Sequence, residues 1–202
     1  MVPTKQRNVA AVFLKYKSEG ILFDCGEGTQ RQMNITGIKR SSVKKILITH
    51  WHGDHVSGII GLIQTSGNKE DKPKLVIYGP RGTKEHMDHL LKSCEFDNQV
   101  NLKILELNPR GIEKFYDCKD FYLECAQMSH LVPCIGYSFV EKDRRRINVK
   151  FMKKNNIPDG PHLKKLQQGK SITYKGKKIN VNDATYTVKG KKITYIMDTV
   201  PC

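Results

Sequence analysis

The chain has 202 residues, 38% of them hydrophobic, which is enough for one domain of ordinary size with a buried core. Its 35 Lys and Arg against 20 Asp and Glu give a formal net charge of +15, which favours an anionic partner, with nucleic acid ahead of an anionic membrane or small acidic substrates. A secretory apolar segment and a long apolar run are both lacking in the sequence given, so no membrane partner is expected.

The six cysteines, Cys25, Cys94, Cys118, Cys125, Cys134 and Cys202, show no C-x-x-C spacing. That argues against a cysteine zinc knuckle or a redox dithiol and for reduced thiols in a cytoplasmic protein.

In chain order, Asn8 to Tyr16 reads as a strand and Ile21 to Asp24 as a second, joined through Ser18-Glu19-Gly20 into a hairpin. Val43 to Thr49 (VKKILIT) is a buried-strand pattern running into His50-Trp51-His52-Gly53-Asp54-His55, and Val56 to Gln64 then takes helical spacing. The histidines therefore fall on a strand-to-helix loop. Leu75 to Tyr78 predicts a strand, Gly82 to Cys94 a helix and Leu102 to Leu107 a strand, with further strands at Phe121 to Gln127 and Ile135 to Val140. Strands and helices mixed in this way predict a layered α/β (α+β) domain.

From Glu141 to Lys192 there are sixteen Lys and Arg against four acids, so +12 of the +15 falls in about a quarter of the chain. Ile147 to Asn155 predicts a short helix, Ile157-Pro158-Asp159-Gly160-Pro161 a break, and Ser171 to Asn180 a hairpin around Gly176. Lys192 to Asp198 returns to an apolar strand. The expected organisation is a core over 1–140, a basic flexible arm over 141–192, and a return strand over 193–202.

At a strand end, alternation lets His50 and His52 point to the same side and share one ion. Gly53 permits the turn that brings Asp54 and His55 back toward a second ion nearby. Imidazole and carboxylate donors suit zinc or manganese. The plain alternative is a fortuitous set of polar loop residues. Four donors do not complete two sites, and His130, after the strand Phe121 to Gln127, and Asp198, after Ile193 to Ile196, are the candidates at other strand ends. His86 and His89, three apart on a surface helix, are expected to be solvated.

The H-x-H-x-D-H loop with strand-end His130 and Asp198 resembles the metallo-β-lactamase superfamily. Within it, Pro3-Thr4-Lys5-Gln6-Arg7-Asn8, the stretch FDCGEGTQRQ from Phe23 to Gln32, His130 followed by Gly136-Tyr137, and Gly160-Pro161 with Leu163 and Leu166 are similar to the ribonuclease Z family. The resemblance implies a four-layer αββα sandwich with a protruding basic arm, and a zinc-dependent endonuclease that removes 3′ trailers from precursor tRNA. It implies two Zn2+ per subunit, with Mn2+ as the alternative: one ion on His50, His52 and His130, the other on Asp54 and His55, and Asp198 bridging. Asp54 would also accept the proton, and Asp24 would orient the ligand loop, against the alternative that it caps a helix over Gly26 to Met33.

The resemblance further implies RNA contacts at Arg7 and Arg31 near the scissile phosphate. On the arm it implies them at Arg144, Arg145, Arg146, Lys153, Lys154, Gly160, Pro161, Lys164 and Lys165, and it implies a homodimer. Family members begin with an earlier strand and continue past the motif that ends here at Cys202, carrying another histidine ligand there. The sequence is thus expected to be a piece of a longer chain with an incomplete sheet. Two other readings are a different hydrolase of the superfamily, or an RNA-binding piece without catalysis.

Overall fold

The computed structural model describes residues 2–66 and 72–200. Strands β1 (Val12–Tyr16) and β2 (Glu19–Phe23) form the expected hairpin, antiparallel with Val12 opposite Phe23. Helix α1 is Thr29–Ile35, β3 is Lys45–Leu47, α2 is Gly53–Val56 and α3 is Ile59–Ser66. They are followed by β4 (Lys74–Gly79), α4 (Thr83–Lys92) and β5 (Asn101–Glu106). The first sheet has the order β1-β2-β3-β4-β5, and β2 to β5 run parallel. Parallel strands covered by helices bury both faces, and the runs at Ile21 to Phe23 and Ile46 to Ile48 are almost completely inaccessible.

Against that sheet α3 turns Ile59, Leu62 and Ile63, a spacing of three and four that makes one helical stripe, and α4 turns Met87. Each such fully buried side chain contributes roughly 1.5–3 kcal/mol by leaving water. Lys45 sits inside this otherwise apolar strand and is neutralised by Glu19 Oε2 at 2.6 Å.

The predicted helix from Val56 to Gln64 is in fact two. It breaks at Ser57-Gly58, where a Cβ on Gly58 would stand 2.2 Å from Gly26 O. The loop after β2 and the turn between α2 and α3 meet backbone to backbone there, and Gly58 N donates to Cys25 O at 2.9 Å.

The second sheet has the order β13-β8-β7-β6, from β6 (Glu113–Asp117), β7 (Phe121–Met128), β8 (Cys134–Glu141) and β13 (Lys192–Tyr195). Strand β6 was not anticipated: Glu113-Lys114-Phe115-Tyr116-Asp117 has too few apolar residues for a composition-based strand, and its pairing within the sheet defines it. The chain divides into two compact units, one of Met1–Phe115, Leu123–Ser138 and Thr194–Cys202, the other of Tyr116–Tyr122 and Phe139–Ile193.

The second unit contains β9 (Arg144–Ile147), α5 (Val149–Lys154), α6 (His162–Gln167), β10 (Ile172–Tyr174), β11 (Lys177–Ile179), α7 (Val181–Ala184) and β12 (Thr185–Val188). Asn148 caps α5 by accepting from Phe151 N, and the β10-β11 hairpin turns on Lys175-Gly176, both at positive φ. Strands β9 and β12 pair antiparallel, Arg144 opposite Val188. This pairing joins segments forty residues apart and leaves no periodic signal in the sequence. Met152, Ile157, Leu166, Ile172, Ile179 and Ala184 form a core of their own, so the basic residues of this stretch stand on a folded support.

Candidate metal centre

Strands β2 and β3 run parallel and end side by side, so Asp24 and Thr49-His50 emerge at neighbouring carboxyl ends, the usual position for a site in a parallel sheet. Asp24 is fully buried with φ +54, a left-handed conformation that folds the chain sharply after the strand. Its carboxylate accepts from Thr49 N at 2.7 Å, from the Thr49 hydroxyl, from His55 Nδ1 at 2.8 Å and from the Tyr195 hydroxyl at 3.1 Å. Asp24 does not cap a helix, because α1 starts at Thr29 behind Gly28.

With His55 Nδ1–H and the Thr49 hydroxyl donating to Asp24, and His50 Nδ1 donating to Thr49 Oγ1 at 3.0 Å, the Nε2 lone pairs of both histidines face the same space. Burial, then the nearby imidazoles of His55 and His52, pushes His50 down to about 4, so it is neutral at pH 7 as a ligand must be. Burial also pulls His55 down, but its hydrogen bond and charge contact with Asp24, helped by Asp54 and Asp198, outweigh this and leave it raised.

Two donor groups converge. His50, His52, His130 and Asp198 bring one ligand atom each within 4.8 Å of one another, and so do Asp54, His55 and Asp198. Asp198 Oδ2 lies 3.6 Å from His50 Nε2 and 3.3 Å from His55 Nε2, so the same carboxylate faces both groups. His52 Nδ1 is 3.0 Å from His50 Nε2 and 3.4 Å from His130 Nε2. Ring nitrogens crowded this closely need protons or a cation among them, and a nitrogen and oxygen set of this kind fits a pair of divalent ions. Cys25 and Cys134 stay out of the set: burial pushes their thiols up to about 12 and about 11, so they are protonated.

The scaffold explains how distant segments meet. Ile135 N donates to Thr49 O and the Tyr137 hydroxyl to Ile48 O, which fixes β8 to the end of β3. Val200 N and Thr199 Oγ1 donate to Ser129 O, which ties the Asp198 segment to the His130 segment. Asp198 itself has φ +45, a turn that follows β13. Between His50 and His52, Trp51 donates to Thr83 Oγ1 at 2.9 Å and stacks on His86, so His86 is exposed but packed on the loop that carries them. A Cβ on Gly26 would reach 2.1 Å from Asp54 O, so the glycine of FDCGEG lets that loop close over α2.

The remaining predicted contacts are dispersed. Arg7 and Arg31 are exposed in the first unit, outside both donor groups. In the second unit Lys153, Lys154, Lys164 and Lys165 are exposed, and Gly160-Pro161 lead into α6. Arg146 is exposed, whereas Arg145 donates to Thr185 Oγ1 at 3.0 Å and Arg144 lies 3.6 Å from Glu141. Thr49 and Tyr195 were not singled out in the sequence. The only trace of either was adjacency, Thr49 before His50 and Tyr195 three residues before Asp198.

The model of the metallo-beta-lactamase superfamily matches residues 4–92. A ribonuclease Z of Nanoarchaeum equitans is 39% identical over 199 residues, covering 98% of this chain and 62% of its own length. One of Pyrococcus horikoshii is 39% identical over 202 residues, covering 99% and 65%. The crystal structure of human tRNase Z, short form, superposes with a TM-score of 0.63 at 30% identity, covering 70% of this chain and 61% of the human one. Over residues 4–92 the chain is thus similar to the metallo-β-lactamase superfamily.

The chain has the mixed α/β metallo-β-lactamase fold, and two groups of His and Asp donors that could hold a metal ion converge in it. The chain spans a little under two thirds of the length of these ribonuclease Z relatives. No helix among the described residues is long and apolar enough to cross a membrane.

Proposed function

We propose that this chain belongs to a zinc-dependent endoribonuclease that cuts the 3′ trailer from precursor tRNA, leaving a 3′-OH on the tRNA and a 5′-phosphate on the trailer. The observation that carries this reading is the pair of donor groups sharing Asp198, in a chain 39% identical to ribonuclease Z across nearly all its length. His50, His52 and His130 would hold one ion, Asp54 and His55 the other, with Asp198 between. When bound, two such cations lower the pKa of water toward neutrality and offset charge on the phosphoryl oxygens.

The residues divide the remaining work. Asp24 holds His55 and, through Thr49, His50 in the tautomer whose Nε2 is free to ligate. Asp54, whose Oδ2 is 3.6 Å from His55 Nε2, accepts the proton of the attacking water. Oxygen then bonds to phosphorus, the tRNA 3′ oxygen leaves with its electron pair and is protonated, and the trailer keeps the phosphate. The exposed Lys and Arg of the second unit grip the tRNA backbone, since folded RNA is recognised largely by shape and phosphate. We keep the homodimer and the cytoplasm as parts of this reading, the latter on the free thiols of Cys25, Cys125 and Cys134.

The test is incubation of the chain with a 3′-extended tRNA and zinc. Cleavage with the stated ends is expected. Metal bound at two equivalents without any tRNA cleavage would count against it and favour another hydrolase of the superfamily.

A further inference from the structure

Helices α5 and α6 of the second unit each carry an exposed lysine pair, Lys153-Lys154 at the end of α5 and Lys164-Lys165 within α6. Residues 155–161 join them. Asn156, at φ +51, turns the chain out of α5, and Ile157 N donates back to Met152 O at 3.0 Å while its side chain enters the core of the unit. Pro158, Asp159 and Pro161 are exposed, and the two prolines carry no N–H, so the middle of the turn can make few backbone bonds of its own.

The side chain of His162 closes this turn. Its Nε2 lies 3.0 Å from Pro158 O, and since a carbonyl only accepts, Nε2 carries the proton and donates. The ring folds back over Gly160, where a Cβ would stand 3.0 Å from Cε1 and 3.1 Å from Nδ1, so the glycine leaves the room that the ring occupies. It also packs on Tyr174 of β10, with centroids 5.3 Å apart. The same hairpin reaches the end of α5, where Lys177 Nζ donates to Asn155 Oδ1 at 3.2 Å. His162 is outside the apolar core of Met152, Leu166 and their neighbours, so its contacts shape the turn and not the fold of the unit.

We infer that His162 is a positioning residue for RNA binding: by clipping the turn at 158–161 to α6 and to β10, it fixes the spacing of the two lysine pairs before the RNA arrives. The inference rests on the reading above that the second unit grips the tRNA backbone. Phosphates of a folded RNA stand at set spacings, which the lysines must match. Lysines on either side of a turn that has still to be ordered bind more weakly, because the ordering entropy is then lost on binding.

Two variants separate the donor from the ring. His162→Phe keeps a ring against Tyr174 and deletes the donor, whereas His162→Gln keeps a donor at similar reach and deletes the ring. In an Asp54→Ala background, fluorescence anisotropy with a 3′-extended tRNA should show about five-fold weaker binding for His162→Phe, the effect of one hydrogen bond, and recovery to within about two-fold for His162→Gln. Limited trypsin digestion without RNA, read by mass spectrometry at Lys154 and Lys164, should run about five-fold faster in His162→Phe, because cleavage follows the open population of the turn. A histidine that only touched the RNA would leave that rate unchanged.

Thermal unfolding checks the fold of each variant. If His162→Phe does not fold, His162→Asn, whose shorter side chain withdraws the donor without added bulk, takes its place with the same expectations. Both changes are required: faster digestion with unchanged binding, or weaker binding with unchanged digestion, overturns this inference alone. Absence of tRNA binding with His162 intact overturns the tRNA reading and the inference with it.

Discussion

The hydroxyl of Tyr195 donates to Asp24 Oδ2 at 3.1 Å, and that same oxygen accepts from His55 Nδ1 at 2.8 Å. Through it, the strand that ends near Asp198 is tied to the carboxylate that orients His55 and Thr49. Burial and the charge of Asp24 raise the Tyr195 phenol far above its ordinary value, so it remains a donor across the working pH range. Its ring packs on Phe23 with centroids 5.3 Å apart.

Tyr195→Phe keeps the ring and deletes the donor. One hydrogen bond contributes about 1 kcal/mol net, so the melting temperature should fall by about 2–4 °C. Residues that orient ligands typically matter about 10–100-fold in metal affinity, and competition with a chromogenic chelator should show zinc bound at least about ten-fold more weakly. Unchanged zinc affinity would show that the bond serves packing only.

Asp54→Ala removes the proposed proton acceptor and one donor of the three-residue group. Cleavage of a 3′-extended tRNA should drop by at least about 100-fold, the contribution of a positioned base, while tRNA binding measured by gel shift persists. Near-normal cleavage would falsify the role.

Replacing Lys153, Lys154, Lys164 and Lys165 together by Ala acts on exposed side chains of the second unit, whose core of Met152, Leu166 and their neighbours is untouched. Affinity for tRNA should fall and its salt dependence should flatten, with hydrolysis of a small phosphodiester retained. Parallel loss of both activities would instead place these lysines in the support of the site.

The thiols should separate by burial. Cys94 is exposed, whereas burial pushes Cys25 and Cys125 up to about 12, far from the thiolate that alkylating agents attack. At pH 8 iodoacetamide should modify Cys94 first and reach Cys25 and Cys125 only after denaturation, as peptide mass spectrometry would record. Early labelling of Cys25 would show that the loop following β2 opens in solution.

Several features were legible in the residues because their signals are local. VKKILIT is rich in β-branched residues, which points to a strand there, realised as β3 over Lys45–Leu47, and H-x-H-x-D-H follows it directly. The hairpin at Gly176 and the charge of residues 141–192 are likewise properties of short stretches. The helix predicted from Val56 was not one helix, since the break at Gly58 comes from a backbone approach to Gly26, a residue thirty-two positions earlier.

What the sequence by itself determined was the donor types and their presence at strand ends: His50, His52, Asp54 and His55 in one loop, His130 and Asp198 elsewhere. Only the tertiary structure decided that Asp198 faces both donor groups and that Asp24 accepts from Thr49, His55 and Tyr195 instead of capping a helix. It also decided that Tyr195 and Thr49 complete the support. Those relations depend on which strand ends lie side by side, and register across β2, β3, β8 and β13 is set by burial of their apolar faces, which no single stretch of residues encodes.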